Sequence, residues 1–322
     1  MESENKNNTS SCCTCGGNLI PFQKGVHDTR FGVDGIYDIY QCQECSLVQN
    51  PYDLSSEELK ETYEQYYNYG GSKKGLYVTL RRAFLESALY RLWMAIDGDI
   101  CFHSYKGTGR LIDIGCNEGQ GLEIYSKNGF SVEGLELNEV AAESARKKGF
   151  TVHTGDLSTF NPENKYDVAV LSHLIEHSEN PDRFINDLSR ILKPAGQVWI
   201  TCPNIGSWLR SVFGRFWINW HPPFHITFFS AETITRLLNK SGFEILKIKN
   251  ITPALWISQS VIAYLFSRKG KKTYAHRSPF LLGGLMLIAR FICFPALWIG
   301  NIMGRGDCLV VTAKLKGSEG NK

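Results

Sequence analysis

No strong charge imbalance marks this chain. Its 35 basic and 32 acidic side chains leave a formal charge of +3. A nucleic-acid partner is therefore not expected, because domains that grip phosphate backbones gather Lys and Arg on one face. A leader pattern is missing too. The opening MESENKNNTSS has neither a basic n-region nor an apolar h-region, so no secretory signal is expected. Ten cysteines without such a signal predict a reducing, cytoplasmic setting, where thiols hold metals or lie buried. No internal repeat is visible. Nor is there a clean membrane span, which needs about 20 apolar residues. Residues 278–304 approach that length but carry Arg290 and Pro295, and 253–266 is too short.

What is present suggests one large domain with appendages; 322 residues, 43% of them hydrophobic, can bury a sizeable core. Residues 1–11 read as disordered. Residues 12–50 hold two CxxC pairs among short strand-like runs. Residues 51–107 read as a helical linker or lid. Within it, Ser55 and Glu58 form a capping box, YGGSKKG a linker, and 76–97 an amphipathic helix. Tyr63, Tyr66, Tyr67 and Tyr69 read as an aromatic face packed on the core, with a cofactor lid as the alternative.

From residue 110 the pattern changes. Strands are expected at 110–114, 131–136, 151–153, 167–172, 197–202, 243–251 and 308–315. Helices are expected at 119–128, 139–148, 181–193 and 231–241. Such alternation predicts a doubly wound α/β domain over 108–252 and 306–316, with a mostly parallel seven-stranded sheet. An apolar helical insertion, 253–305, precedes the last strand.

The stretch RLIDIGCNEGQG, residues 110–121, joins a strand to a helix through a glycine turn and carries Asp113 at the strand tip. A dinucleotide pyrophosphate would meet that carboxylate with like charge. A ligand bearing an ammonium and a sulfonium fits better. S-adenosylmethionine has both.

DIGCNEGQG resembles the first motif of class I S-adenosylmethionine-dependent methyltransferases, with Asn117 where the family usually has glycine. Asn also tolerates left-handed backbone. GLEL, GDL, YDVAVLSHLIEH and RILKPAGQVWITCPN resemble the family's later motifs, in order. The resemblance implies a Rossmann-like fold. It implies cofactor contacts from Asp113, Gly115, Cys116, Asn117 and Gly119. It places Glu136 at the ribose and Asp156 and Leu157 at the adenine, and adds Leu137, and Ser172 at the end of the fourth strand, as further cofactor contacts.

Cys12-x-x-Cys15 and Cys42-x-x-Cys45 predict one structural zinc, because two CxxC knuckles complete a closed thiolate tetrahedron. A zinc ribbon ahead of such a domain resembles deoxysugar and other glycan-modifying methyltransferases. That resemblance implies a sugar nucleotide or lipid-linked sugar as acceptor. A quinone or other lipophilic molecule is the alternative within enzymes, and a non-catalytic cofactor-binding subunit is the alternative outside them.

An acceptor hydroxyl or acidic carbon needs a base, and histidine suits that role. His173 and His177 follow the fourth strand. His221 and His225 lie in NWHPPFHITFFS. The string His173-x-x-Glu176-His177 also matches an inverted zinc-peptidase motif. It starts directly after a strand and stops at Asn180-Pro181, so that chemistry is not expected.

The insertion leaves and returns on one side of the sheet. It reads as a membrane-surface hairpin at the inner face, a substrate lid or a homo-oligomer interface. In the membrane reading, Arg290 and the basic loop reach lipid phosphates while Trp256, Phe291 and Trp298 lie at the boundary.

Overall fold

The computed structural model describes residues 11–51 and 87–317, with single positions between 62 and 84. The disordered start, the Ser55–Glu58 capping box, the tyrosine-bearing face, the YGGSKKG linker and the first half of the 76–97 helix lie essentially outside the described residues.

Three strands come first: β1 (Leu19–Val26), β2 (Tyr37–Cys42) and β3 (Val48–Gln49). Helix α1 (Ala88–Asp97) precedes the alternating core of β4 (Arg110–Ile114), α2 (Gln120–Lys127), β5 (Ser131–Glu136), α3 (Glu139–Arg146), β6 (Thr151–Thr154), β7 (Tyr166–Ser172), α4 (Pro181–Ile191) and β8 (Leu192–Pro203). Next come α5 (Trp208–Phe213), β9 (Thr227–Phe228), α6 (Ala231–Lys240) and β10 (Phe243–Ile251). Three apolar helices, α7 (Ala254–Phe266), α8 (Pro279–Phe291) and α9 (Phe294–Ile302), lead to the last strand, β11 (Cys308–Leu315).

Seven strands form one sheet in the order β10-β11-β8-β7-β4-β5-β6. Strands β8, β7, β4, β5 and β6 run parallel, while β11 pairs antiparallel with both neighbours. Chain order reverses beside β4, so a crevice opens at the carboxyl ends of β4 and β7. Doubly wound sheets bind their ligands at such a switch point. Helix α4 stops at Ile191, two residues short of the expected 193, because Pro194 forces Lys193 out of the helical region. Strand β8 begins at once with Leu192.

Alternation along the strands sends side chains to two faces. Ile112, Ile114, Ala169, Leu171, Val198, Ile200, Leu309 and Val311 pack on one side, beneath α4 and α6. Leu111, Val168, Val170, Trp199 and Val310 pack on the other, with Phe102, Tyr125 and Trp256.

The cysteine-bearing segment does not close on itself. A second sheet runs β1-β2-β3-β9, with Val48 opposite Phe228 and Gln49 opposite Thr227. The Asn50 N–H donates to Ile226 O at 2.8 Å. Cys12, Cys42 and Leu47 belong to the same buried cluster as the main sheet.

Helices α8 and α9 meet at a 68° bend, and among the described residues no single helix is long and apolar enough to cross a membrane. Two expectations about this region are corrected. Arg290 does not reach outward: it is 4% exposed and donates to the Asp97 carboxylate and to Thr252 O. Trp256 does not lie at a boundary: it is 8% exposed and belongs to the core. Burial wins in both cases because Asp97 supplies the charge partner and the sheet supplies apolar contact. Phe280, Phe291, Ile292 and Trp298 do face outward.

Candidate functional site

The glycine turn closes through backbone bonds. Gly115 N–H donates to Leu135 O at 2.8 Å, and Gly119 N–H to Cys116 O at 2.9 Å. Asn117 and Gly119 take the left-handed region, with φ of 49° and 76°. Gly119 caps α2. Inside the turn, Gly121 has to lack a side chain. A Cβ there would stand 2.6 Å from an Asp113 carboxylate oxygen.

Asp113 is buried, and burial lifts its pKa to about 7, with Glu136 adding to the rise. Among the described residues its carboxylate accepts no hydrogen bond. A buried acceptor of this kind fits a ligand ammonium. Glu136 is buried at the next strand tip. Its Oε2 accepts from Asn117 N at 2.8 Å and its Oε1 from Asn138 N at 2.9 Å. A carboxylate has about four lone-pair sites, so two remain for a diol. These two carboxylates and the turn fit S-adenosylmethionine. Asp156 accepts from Ser158 N at 2.8 Å. It lines a cleft of about 310 Å³ with Leu135, Thr154 and Phe160. Leu137 is exposed, Leu157 and Cys116 are buried, and Ser172 ends β7. A larger groove, about 440 Å³, opens at the opposite end of the sheet beside Lys106, Asp167 and Lys193 and is remote from the turn.

The four histidines gather just past β7. His173 sits at φ 54° with its N–H on Thr201 O at 2.9 Å, and its ring meets Trp256 at 5.3 Å. His177 closes the 3₁₀ turn Ile175–His177. Its Nδ1 pairs with Phe224 O at 2.8 Å, and His225 Nδ1 pairs with Asn219 O at 2.7 Å. The His225 ring lies 4.8 Å from His177 and 5.0 Å from His221. Burial pushes His173 and His177 down to about 4, and His221 and His225 well below the usual histidine range. All four are therefore neutral near physiological pH, which leaves them weak proton acceptors until a ligand changes their surroundings.

Sequence reasoning set Glu176 aside with the zinc-peptidase string and gave no role to several other residues here. Glu176 is 1% exposed, and neither carboxylate oxygen accepts a hydrogen bond from another described residue. Burial lifts its pKa to about 8. Its position inside the IEH triplet was the available signal. Arg30 adds positive charge that further depresses His173, His221 and His225. It is placed by Asp28, whose carboxylate collects the N–H groups of Arg30, Phe31, Gly32 and Val33. Buried Asp307 accepts from Trp217 Nε1 at 2.8 Å and Asn219 Nδ2 at 3.3 Å, and Asn219 in turn holds His225. Nothing local in the sequence announces these long-range bonds.

Cys12, Cys15, Cys42 and Cys45 come together with all four sulfurs within 4.8 Å. Cys12 Sγ lies 3.5 Å from Cys45 Sγ, and Cys15 Sγ 3.4 Å from Cys42 Sγ. Thiolates bound tetrahedrally at about 2.3 Å stand roughly 3.8 Å apart, so this donor set fits zinc. Cys13 points elsewhere, toward Thr14.

A methyltransferase-domain family model matches residues 81–248, more than half of the chain. The chain belongs to the methyltransferase-domain family, and its sheet and glycine turn form a domain of the S-adenosylmethionine-dependent kind. It is similar to a probable S-adenosylmethionine-dependent methyltransferase of Mycolicibacterium smegmatis, 30% identical over 146 residues, which are 44% of this chain and 55% of that protein. It is also similar to the ubiquinone biosynthesis O-methyltransferase of Citrobacter koseri, 26% identical over 164 residues, 48% of this chain and 61% of that one. The match therefore spans little more than half the length of these curated relatives. Among solved structures, a SAM-dependent methyltransferase from Archaeoglobus fulgidus aligns with a TM-score of 0.46 and 21% identity, over 74% of this chain and 100% of that one.

Proposed function

We propose that this protein transfers the methyl group of S-adenosylmethionine to a sugar nucleotide or lipid-linked sugar. One observation carries the reading. Two buried carboxylates, Asp113 and Glu136, lie at the carboxyl ends of β4 and β5, and the histidine cluster, with Arg30 nearby, lies past the end of the adjacent β7. The cofactor supplies a methyl group activated by positive sulfur. Asp113 would hold its ammonium and Glu136 its ribose, with Gly115, Cys116, Asn117 and Gly119 shaping the turn, Leu137, Asp156 and Leu157 around adenine, and Ser172 toward the methyl. Half-buried Arg30, which also donates to Ile218 O at 3.3 Å, supports a phosphorylated acceptor, because a guanidinium pairs well with phosphate. His173, His177, His221 and His225 would assist loss of an acceptor proton. The four cysteines would hold a structural zinc that fixes β1–β3. The outward apolar side chains of α8 and α9 support contact with a membrane surface carrying the acceptor.

A lipophilic acceptor such as a quinone is the second reading. The aromatic wall around the cluster favours it: Trp256 lies against His173, and Phe31 and Phe224 against His221. The test is turnover of S-adenosylmethionine with fractionated glycan and lipid extracts, read as S-adenosylhomocysteine formed. Release driven by a phosphosugar fraction is expected. Release driven only by neutral lipids would favour the second reading. Tight cofactor binding with no release from any fraction would leave a binding-only regulatory subunit.

A further inference from the structure

Glu176 is an unusual side chain to bury. A carboxylate taken from water needs donors or a cation, and here no other described residue supplies a hydrogen bond. Among the described residues the nearest positive-capable group is His173 Nδ1, at 3.8 Å. The two rings beside it have a definite orientation. Nδ1 of His177 and Nδ1 of His225 each face a backbone carbonyl, at 2.8 and 2.7 Å. A carbonyl only accepts, so each Nδ1 carries the proton and each Nε2 keeps its lone pair. Metal-bound histidines are oriented in just this way, with the second ring nitrogen donating to a carbonyl or carboxylate.

The two segments that carry these side chains are tied together. Ile226 N–H donates to Glu176 O at 2.8 Å, and Thr227 Oγ1 to Ile175 O at 3.3 Å. One donor atom each from Glu176, His177 and His225 lies within 4.8 Å of the other two. Donors bound at 2.0–2.2 Å stand roughly 3–4 Å apart, so the site closes by about an ångström on an ion.

We infer that Glu176, His177 and His225 bind one divalent transition-metal ion at the acceptor side of the crevice, separate from the four-cysteine cluster. This differs from the His173-x-x-Glu176-His177 string, because the third ligand comes from the loop before β9. Two imidazoles and one carboxylate suit zinc, manganese, iron or cobalt over magnesium or calcium. Three protein ligands leave coordination positions open. An acceptor hydroxyl oxygen can take one of them. The metal then lowers the pKa of that hydroxyl, and its proton passes to bulk water. His177 and His225 serve as ligands in this scheme and not as bases. The assignment rests on the methyltransferase reading for its purpose, but not for its test.

Cobalt(II) separates the two metal centres in the full-length protein. Cobalt bound to four thiolates absorbs strongly through sulfur-to-metal charge transfer. Cobalt bound to two imidazoles and a carboxylate shows only weak d–d bands. Wild type should take up two equivalents per chain, with both signatures. Glu176→Gln and His225→Ala should lose the weak-band equivalent, with affinity there reduced roughly 100-fold or more, and keep the thiolate signature. Calorimetry with S-adenosylmethionine is run on the same samples. Unchanged cofactor affinity shows that the variants fold, and its absence in wild type would count against the methyltransferase reading alone. Wild type binding only thiolate-held cobalt overturns the inference even if both variants misfold. So does a weak-band equivalent that survives both substitutions.

Discussion

Arg290, on α8, donates to the carboxylate of Asp97, at the end of α1, and both side chains are buried. Asp97 also accepts from Ala254 N at 3.0 Å, the first residue of α7. A single pair thus ties three helices together. Removing one partner of a buried pair leaves a charge without compensation, which costs about 3–5 kcal/mol. Arg290→Met should lower unfolding free energy by that amount in urea titration. The double replacement Asp97→Leu with Arg290→Met should recover most of it. A single variant as stable as wild type would contradict the pairing.

The same pair leaves the outer surface of α8 and α9 without that charge. Phe280, Phe291 and Trp298 lie there. If that surface meets lipid, wild type should float with anionic liposomes at low salt, and replacing the three aromatics by Ser should abolish flotation. A wild-type protein that stays in the dense fraction would refute lipid contact.

Cofactor affinity should depend on Glu136. A hydrogen bond to a charged acceptor contributes about 1.5–3 kcal/mol. Glu136→Gln should therefore weaken S-adenosylmethionine binding by roughly 10- to 150-fold in calorimetry. An unchanged Kd would place the ribose elsewhere.

Asp113 predicts a pH profile. Its carboxyl titrates at about 7 because burial disfavours the charged form. Only the carboxylate accepts from an ammonium, so affinity should rise as pH climbs toward 7. An α-amino group loses its proton near pH 7.7–8.0, so affinity should fall again above roughly pH 8. The result is a narrow optimum. Asp113→Asn should remove the acid limb and lower the maximum.

Zinc should be tested through strand β3. One zinc per chain is expected on the four cysteines, measured by elemental analysis, and Cys45→Ser should lose it. Hydrogen exchange should then speed up at residues 11–50 and also at 225–229, because β3 pairs with β9. Faster exchange confined to the first segment would contradict that coupling.

Much of this architecture was legible from residue order. Strands buried on both faces, such as RLIDI, read as continuous apolar runs, and Asp113 with Gly115 and Gly119 marked the turn. What escaped depends on partners far along the chain. Arg290 in an apolar helix reads the same whether it meets a phosphate or Asp97. Trp256 reads the same at a boundary or against His173. Glu176 looked like a loop residue beside two histidines. Strand β9 is two residues long, too short for any periodic signal, yet it joins the cysteine segment to the histidine loop.

That short pairing bears on how such a chain could be re-engineered. Residues 12–50 look like a module to be exchanged for another, with the catalytic half left intact. The β3–β9 seam makes the exchange costly. A replacement module must supply a strand edge in register with Thr227 and Phe228, or the loop that bears His221 and His225 loses its backing. It must also rebuild the Asp28 loop that delivers Arg30. Chimaeras between relatives should therefore work when the front segment and the 218–230 loop are transplanted together, and fail when either travels alone.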